Sequence, residues 1–219
     1  TFVVNVRNSS LGGGRAVSLN PREIDALHWD DKLTLEFGND RPALAALEIT
    51  RIDDVPTVFL AGDSTVTDQT AEPWAAWGQM LPRFFGPGVA IANHAESGET
   101  LKAFVAENRL AKVTSRMKAG DYLFIQFNHN DQKPGANHLE PFTTYKAQVK
   151  LFIAAARERG ATPVLVTSML RRKLDAAGRI VNTLGDYPEA LRQVAREEGV
   201  ALIDLFGASK SLYEALGPE

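Results

Sequence analysis

Thr57-Val-Phe-Leu-Ala-Gly-Asp-Ser-Thr65 is an apolar run that ends abruptly in a glycine and three polar residues. Short, continuous apolar runs of this kind are typical of parallel strands that are buried on both faces of a sheet. The sequence repeats the order of apolar strand, loop and helix five times, with predicted strands at 57–61, 89–93, 122–127, 163–167 and 201–205. The predicted helices lie at 73–85, at 100–117 in one or two pieces, and at 141–159, 187–198 and 209–216. This order predicts a three-layer α/β domain in which helices cover both faces of a five-stranded parallel sheet.

Residues 1–53 show a different pattern. Apolar and polar residues alternate at 2–6, 32–37 and 46–50, and glycine-containing turns separate these runs. Such alternation predicts antiparallel strands. About fifty residues bury little surface alone, so these strands are expected to form part of a small, sandwich-like module. With a hinge at 53–56, the chain is predicted to divide into a β module at 1–53 and an α/β domain at 57–219.

Composition excludes several classes of protein. The 219 residues carry a net charge of −3, which argues against a nucleic-acid partner, because a phosphate backbone is bound by clustered Lys and Arg. The chain has no cysteine, and therefore no disulfide or thiolate metal site. No His-Glu-x-x-His motif occurs, and we expect neither a metal nor a cofactor. The apolar runs are far shorter than the roughly 18–20 residues of a membrane span.

Candidate site residues follow the first three predicted strands. Ser64 comes directly after the strand at 57–61 and its Gly-Asp turn, Gly98 precedes a predicted helix, and Asn130 follows the apolar run at 122–127. Each has an ordinary structural interpretation as a helix cap, a loop glycine or a turn residue. Because parallel strands end at one edge of a sheet, however, the three residues are expected to converge there. A serine can attack a carbonyl carbon, and a glycine N–H and an asparagine amide can hold the resulting oxyanion.

Gly62-Asp63-Ser64, Gly98 and Asn130-Asp131 together resemble the nucleophile, glycine and asparagine blocks of the SGNH (GDSL-type) hydrolases. The stretches that look most like the rhamnogalacturonan acetylesterase branch, including its bacterial members with an N-terminal β-sandwich, are Thr65-Val-Thr-Asp-Gln69, Pro73-Trp-Ala-Ala-Trp-Gly-Gln79, His94-Ala-Glu-Ser-Gly98 and Phe142-Thr-Thr-Tyr-Lys146. The resemblance implies a flavodoxin-like sheet and a serine esterase that removes O-acetyl groups from a pectic polysaccharide through an acyl-enzyme. It assigns Ser64 as nucleophile, with Gly98 and Asn130 as oxyanion donors. It also implies an acetylated polysaccharide or oligosaccharide as partner and a secreted or periplasmic location.

The sequence departs from the family pattern in two places. The third block usually reads Gly-x-Asn-Asp, but Asn128 stands where the glycine is expected. The family's Asp-x-x-His, which supplies the base, lies past the fifth strand and the next helix, and this sequence stops at Glu219 before reaching it. We therefore expect these 219 residues alone to hydrolyse acetyl esters slowly. Two alternatives stay open: a catalytically silent carbohydrate-binding relative, and an SGNH lipase or thioesterase.

Two further interpretations concern side chains near the predicted site. His129 follows the third strand next to Asn130, so strand alternation predicts that it points to the opposite side and does not act as the base. Trp74 and Trp77 lie three residues apart in a helix predicted to begin at Pro73, which suits either a sugar-stacking wall or core packing.

Overall fold

The computed structural model describes residues 3–35, 37–38 and 40–217. Its centre is a five-stranded parallel sheet in the order β4-β3-β5-β6-β7. These strands are β3 (Thr57–Gly62), β4 (Ala90–Asn93), β5 (Tyr122–Gln126), β6 (Thr162–Val166) and β7 (Ala201–Ile203). Every strand lies within two residues of its predicted limits, because each is a short apolar run, and all but the edge strand β7 are largely buried. The predicted three-layer α/β fold with its parallel sheet is confirmed.

Each of the five predicted helical stretches of the α/β domain contains a helix, but the limits differ from the prediction. They are α2 (Trp77–Met80), α3 (Leu101–Ala106), α4 (Arg109–Arg116), α5 (Lys146–Arg157), α6 (Tyr187–Glu198) and α7 (Leu205–Leu216). The predicted helix at 73–85 begins only at Trp77 and continues as a 3₁₀ turn, Leu81–Phe84. The predicted helix at 100–117 is broken at Asn108, whose φ of +62° is left-handed and ends a right-handed helix.

Two apolar clusters pack against the two faces of the sheet. The larger lies under α3, α4, α5 and α6, and at its centre three phenylalanine rings, Phe104, Phe127 and Phe152, pack with centroids 5.4–5.7 Å apart. The smaller lies on the opposite face, where Trp77, Leu81 and Phe85 cover apolar side chains of β3 and β4. Covering both faces leaves the carboxyl ends of the strands as the open edge of the domain.

The N-terminal segment is only partly regular. A two-stranded antiparallel hairpin, β1 (Ser10–Gly12) and β2 (Arg15–Ala16), is followed by the short helix α1 (Pro21–Ile24). The described residues of the predicted strands at 32–37 and 46–50 form no strand, since their apolar side chains find no sheet to pack against and stay mostly exposed. The predicted strand at 2–6 is reduced to a single bridge from Val4 to Ile91 of β4, and Phe2 lies outside the described residues. That this segment is part of a sandwich-like module stays a prediction.

Candidate active site

Gly62 ends β3 and forces the chain into the loop that carries Ser64. A Cβ atom on Gly62 would lie 2.5 Å from Val66 Cγ2 and 2.9 Å from Gln126 O. Glycine is therefore required here by close packing of the loop against β5 and not by a left-handed φ. Asp63 Oδ1 then accepts hydrogen bonds from Thr65 N (2.9 Å) and Thr65 Oγ1 (2.8 Å), which fixes the turn and places the half-buried Ser64 at its crest.

Gly98 lies in the loop after β4, beside the Ser64 loop. Glu96 N donates to Gly62 O at 3.2 Å, which joins the two loops directly. Gly98 has a φ of +85° and is exposed, and only one atom, Arg22 Nη2 at 3.9 Å, would lie near a Cβ added to it. The following helix α3 begins at Leu101, one residue later than predicted. The N–H of Gly98 therefore belongs to an open loop, where a ligand atom can approach the backbone closely.

Asn130 lies in the loop after β5, and its amide group is held in one orientation. Its Oδ1 accepts from Lys133 Nζ at 2.7 Å, and its Nδ2 donates to Glu99 O at 2.9 Å. An amide nitrogen has two hydrogens, so one N–H of Asn130 is left to donate to another acceptor. Because the lysine fixes the oxygen, the nitrogen faces the loop that contains Gly98.

Asp131 also connects the loop after β5 to the segment that contains Gly98 and the start of α3. Its Oδ1 accepts from Leu101 N, the first residue of α3, at 2.8 Å, so the bond is a tertiary contact. Burial raises the pKa of Asp131 to about 7, and Oδ2 has no hydrogen-bond partner within the described chain. Its carboxyl group thus holds the loops together at the cost of a buried, partly unsatisfied oxygen.

These contacts bring the three predicted loops to one edge of the sheet. The Ser64 loop is bonded to the Gly98 loop, and the Gly98 loop is bonded to Asn130. Gln126 Nε2 also donates to Thr65 Oγ1 at 2.5 Å, which ties the end of β5 to the residue after Ser64. The loops converge as expected, while the catalytic roles of Ser64, Gly98 and Asn130 stay predictions.

The histidines near this edge are engaged in other contacts. His129 Nε2 donates to Met169 O at 2.9 Å, and its Nδ1 lies 3.6 Å from Asp63 Oδ2. His94 is enclosed between the rings of Trp29 and Phe59. Burial and the nearby charges of Arg7, Lys112 and Arg109 lower the pKa of His94 well below its usual value. Neither ring is arranged as a base that is oriented by a carboxylate.

The sequence interpretation overlooked an Asp-x-x-His spacing in the N-terminal segment, Asp25-Ala-Leu-His28. His28 borders a small cleft of about 50 Å³ together with Thr67 and Gln69 of the Ser64 loop and Ser97 beside Gly98. Asp25 and His28 form no ion pair with each other in the described part of the molecule. The spacing alone therefore does not make them a carboxylate–imidazole pair.

Asn128 has a positive φ, a backbone conformation that suits glycine. Its φ is +151°, a region that L residues rarely adopt. Its buried Oδ1 finds no hydrogen-bond partner among the residues described. The substitution therefore leaves both an unusual φ and an unsatisfied oxygen two residues before Asn130.

The two tryptophans have different environments, because the helix begins after the first of them. Trp77 packs in the smaller cluster and donates from Nε1 to Gln126 Oε1 at 2.7 Å. Trp74 lies before the helix and is 72% exposed. Core packing therefore applies to Trp77, and an exposed ring suited to a sugar face is left only at Trp74.

The sequence is similar to those of known proteins. The profile of the GDSL-like Lipase/Acylhydrolase family matches residues 60–217. The rhamnogalacturonan acetylesterase RhgT of Bacillus subtilis is 49% identical over 164 residues, which cover 74% of this chain and 70% of the relative. The probable rhamnogalacturonan acetylesterase YesY of the same organism is 39% identical over 168 residues, which cover 74% of this chain and 76% of the relative.

A solved structure is also similar. The crystal structure of Bacillus subtilis YxiM superposes with a TM-score of 0.68 and 29% identity, over 75% of this chain and 47% of that chain. The chain therefore spans about half the length of that protein. No helix in the described ranges is long and apolar enough to cross a membrane.

Proposed function

Because this chain belongs to the GDSL-like Lipase/Acylhydrolase family, we propose that it is a serine acetylesterase that acts on a pectic, rhamnogalacturonan-type polysaccharide. The observation that carries the proposal is the convergence of the Ser64, Gly98 and Asn130 loops at one sheet edge. The high identity to RhgT and YesY, which are named as rhamnogalacturonan acetylesterases, supports the substrate class. Such a substrate lies outside the cell, so an exported enzyme fits this activity.

In the proposed reaction, Ser64 Oγ attacks the carbonyl carbon of the acetyl ester and transfers its proton to a base. The carbonyl oxygen becomes an oxyanion, which accepts hydrogen bonds from Ser64 N–H, Gly98 N–H and the second N–H of Asn130 Nδ2. Collapse of the tetrahedral intermediate breaks the bond to the sugar oxygen, which takes the proton back and leaves as a hydroxyl group. Water then attacks the acetyl-serine in the same way and releases acetate.

The oxyanion donors are suited to this role by their preorganisation. Lys133 and Glu99 O fix the Asn130 amide before substrate binds, so no reorganisation is needed as negative charge develops. Removing one such donor costs a factor of roughly 10²–10³ in turnover in another serine hydrolase. We therefore expect Asn130→Ala to lower kcat by a factor of that order.

The test uses the full chain with p-nitrophenyl acetate and with acetylated rhamnogalacturonan oligosaccharides. Ser64→Ala is expected to abolish acetate release and to remove the acetyl adduct that mass spectrometry detects on the Ser64 peptide. Ser211→Ala is the matched control, because Ser211 is exposed on α7 and, among the described residues, its side chain bonds only Gly207 O. Undiminished turnover by a folded Ser64→Ala protein would refute the proposal. Oligosaccharide binding without turnover by the unsubstituted chain would favour the carbohydrate-binding alternative.

The source of the base is tested with the same substrates. We expect His94 and His129 not to be the base, because their rings are committed to buried contacts. His28→Ala, His129→Ala and His138→Ala are compared as folded proteins. Retained turnover in all three excludes these histidines as the base, and selective loss in His28→Ala would assign the role to the N-terminal segment.

A further inference from the structure

The short helix α1 of the N-terminal segment contacts the loop that contains Gly98. Arg22 on this helix donates from Nε to Glu96 Oε1 at 2.5 Å and from Nη2 to Ser97 O. Both partners directly precede Gly98, and the same Nη2 is the atom nearest to the Cβ position of Gly98. The Arg22 guanidinium group therefore binds the two residues that come before Gly98.

A second contact from α1 reaches the other side of Gly98 through a buried arginine. Glu23 accepts from Arg109 Nη1 at 2.9 Å and from Arg109 Nη2 at 2.5 Å. Arg109 Nε in turn lies 3.7 Å from Glu99 Oε1. All three side chains are almost completely buried. The loop is therefore hydrogen-bonded to α1 at residues 96–97. On the other side of Gly98, Glu99 lies beside the buried Glu23–Arg109 pair, while Arg109 Nε itself donates to Glu107 Oε2 at 2.8 Å.

The loop depends on such attachments because Gly98 itself provides none. It has no side chain, its φ is positive and it is exposed, so its backbone is conformationally permissive. An oxyanion donor acts only when it is held close to its productive position, and a misplacement of about 1 Å can cost a factor of roughly 10². α1 lies outside residues 60–217, the part that matches the family.

We propose that Arg22 and Glu23 of the N-terminal segment are positioning residues that hold the Gly98 N–H in the oxyanion site. The N-terminal segment then completes the active site through Arg22 and Glu23, which act through the loop and not on the substrate. This inference rests on the proposed esterase function. It also makes a claim about the loop that can be measured without catalysis.

The experiment compares Arg22→Ala, Arg22→Lys and the control Arg51→Ala in the full chain. Arg51 lies in the same segment, but its only described ion pair is with Asp53, and both side chains are largely exposed. We expect Arg22→Ala to speed amide hydrogen exchange in residues 95–101 at least about threefold and to lower kcat about tenfold, with KM within about twofold. Arg22→Lys keeps the charge, but a single ammonium cannot reproduce the forked contact, so we expect an intermediate loss.

Two results would overturn the inference. One is unchanged exchange in residues 95–101 of folded Arg22→Ala, and the other is an equal loss of kcat in Arg51→Ala. If Ser64→Ala keeps full turnover, or the unsubstituted chain has none, the proposed function fails. The exchange measurement still decides whether α1 holds the loop. Thermal unfolding of each variant confirms that the protein is folded.

Discussion

Asn128 occupies a backbone conformation that favours glycine, with a φ of +151° and an unpaired Oδ1. Strain of this kind costs about 1–3 kcal/mol, whereas glycine loses roughly 0.5–1 kcal/mol more through chain entropy. We therefore expect Asn128→Gly to raise the free energy of unfolding by about 1 kcal/mol in urea denaturation. Asn137→Gly in the exposed loop, where φ is not positive, is the control and should be neutral or destabilising. Equal effects of the two substitutions would contradict the strain argument.

Glu99 is a buried carboxyl group next to the proposed oxyanion donor Gly98. Burial raises the pKa of Glu99 to about 8, helped by the charges of Glu107 and Glu96 and opposed by Arg109. The folded state therefore binds this proton more tightly than the unfolded state. The resulting stability is fully present below the unfolded pKa near 4.5 and is lost as the pH rises through about 8.

Because the pKa of Glu99 is raised in the folded state, the free energy of unfolding depends on pH in a measurable way. We expect the free energy of unfolding to fall between about pH 5 and about pH 8, and we expect Glu99→Gln to reduce that fall, because the amide does not ionise. Chemical denaturation at each pH measures the difference. Glu72→Gln on the exposed surface is the control and should leave the slope unchanged. A wild-type slope in Glu99→Gln would show that Glu99 is ionised throughout this range.

The contact between α2 and the loop that carries Ser64 depends on a second glycine. A Cβ atom on Gly78 would lie 2.1 Å from Val66 O and 2.8 Å from Val66 Cγ1. Alanine favours a helix over glycine by about 1 kcal/mol, but a clash with backbone this close outweighs that preference. We expect Gly78→Ala to destabilise the protein by about 1–3 kcal/mol in thermal unfolding. Gly86→Ala, where nothing lies within 4 Å, should leave the unfolding temperature nearly unchanged.

For the secondary-structure elements, the sequence predicts the limits of strands better than the limits of helices. The five strands follow from short apolar runs, and this holds even for the edge strand β7, whose side chains stay partly or largely exposed. The helix at 73–85 is shorter than predicted because its apolar spacing continues through a 3₁₀ turn that contains Pro82. The N-terminal alternation at 46–50 predicted a strand, but alternation forms a strand only when a neighbouring strand pairs with it, and none does so in the described chain.

For the molecule as a whole, the three loops of the site could be predicted because parallel topology brings strand ends to one edge. The attachment of α1 to the Gly98 loop could not be predicted from the sequence. It joins residues 22–23 to residues 96–109 through single side chains, and such contacts leave no periodic pattern in the sequence. The same limit applies to Lys112, which is buried and donates to Ser10 O at 2.6 Å across the two parts of the chain.

The buried pair of Arg109 and Glu23 is therefore expected to couple the N-terminal segment to the stability of the α/β domain. Arg109→Met leaves the Glu23 carboxylate buried without its cationic partner. Breaking a buried ion pair in this way lowers the free energy of unfolding by about 3–5 kcal/mol, and we expect a loss in that range. Glu23→Gln removes that uncompensated charge, so we expect the double variant to lose clearly less than the sum of the two single losses. Denaturant unfolding of the four proteins gives the coupling free energy. The exposed Arg51 and Asp53, taken through the same cycle, should couple by about 0–1 kcal/mol. If the buried pair couples no more strongly than this exposed pair, the N-terminal segment packs on the domain without being held by charge, and Arg109 acts through its packing alone.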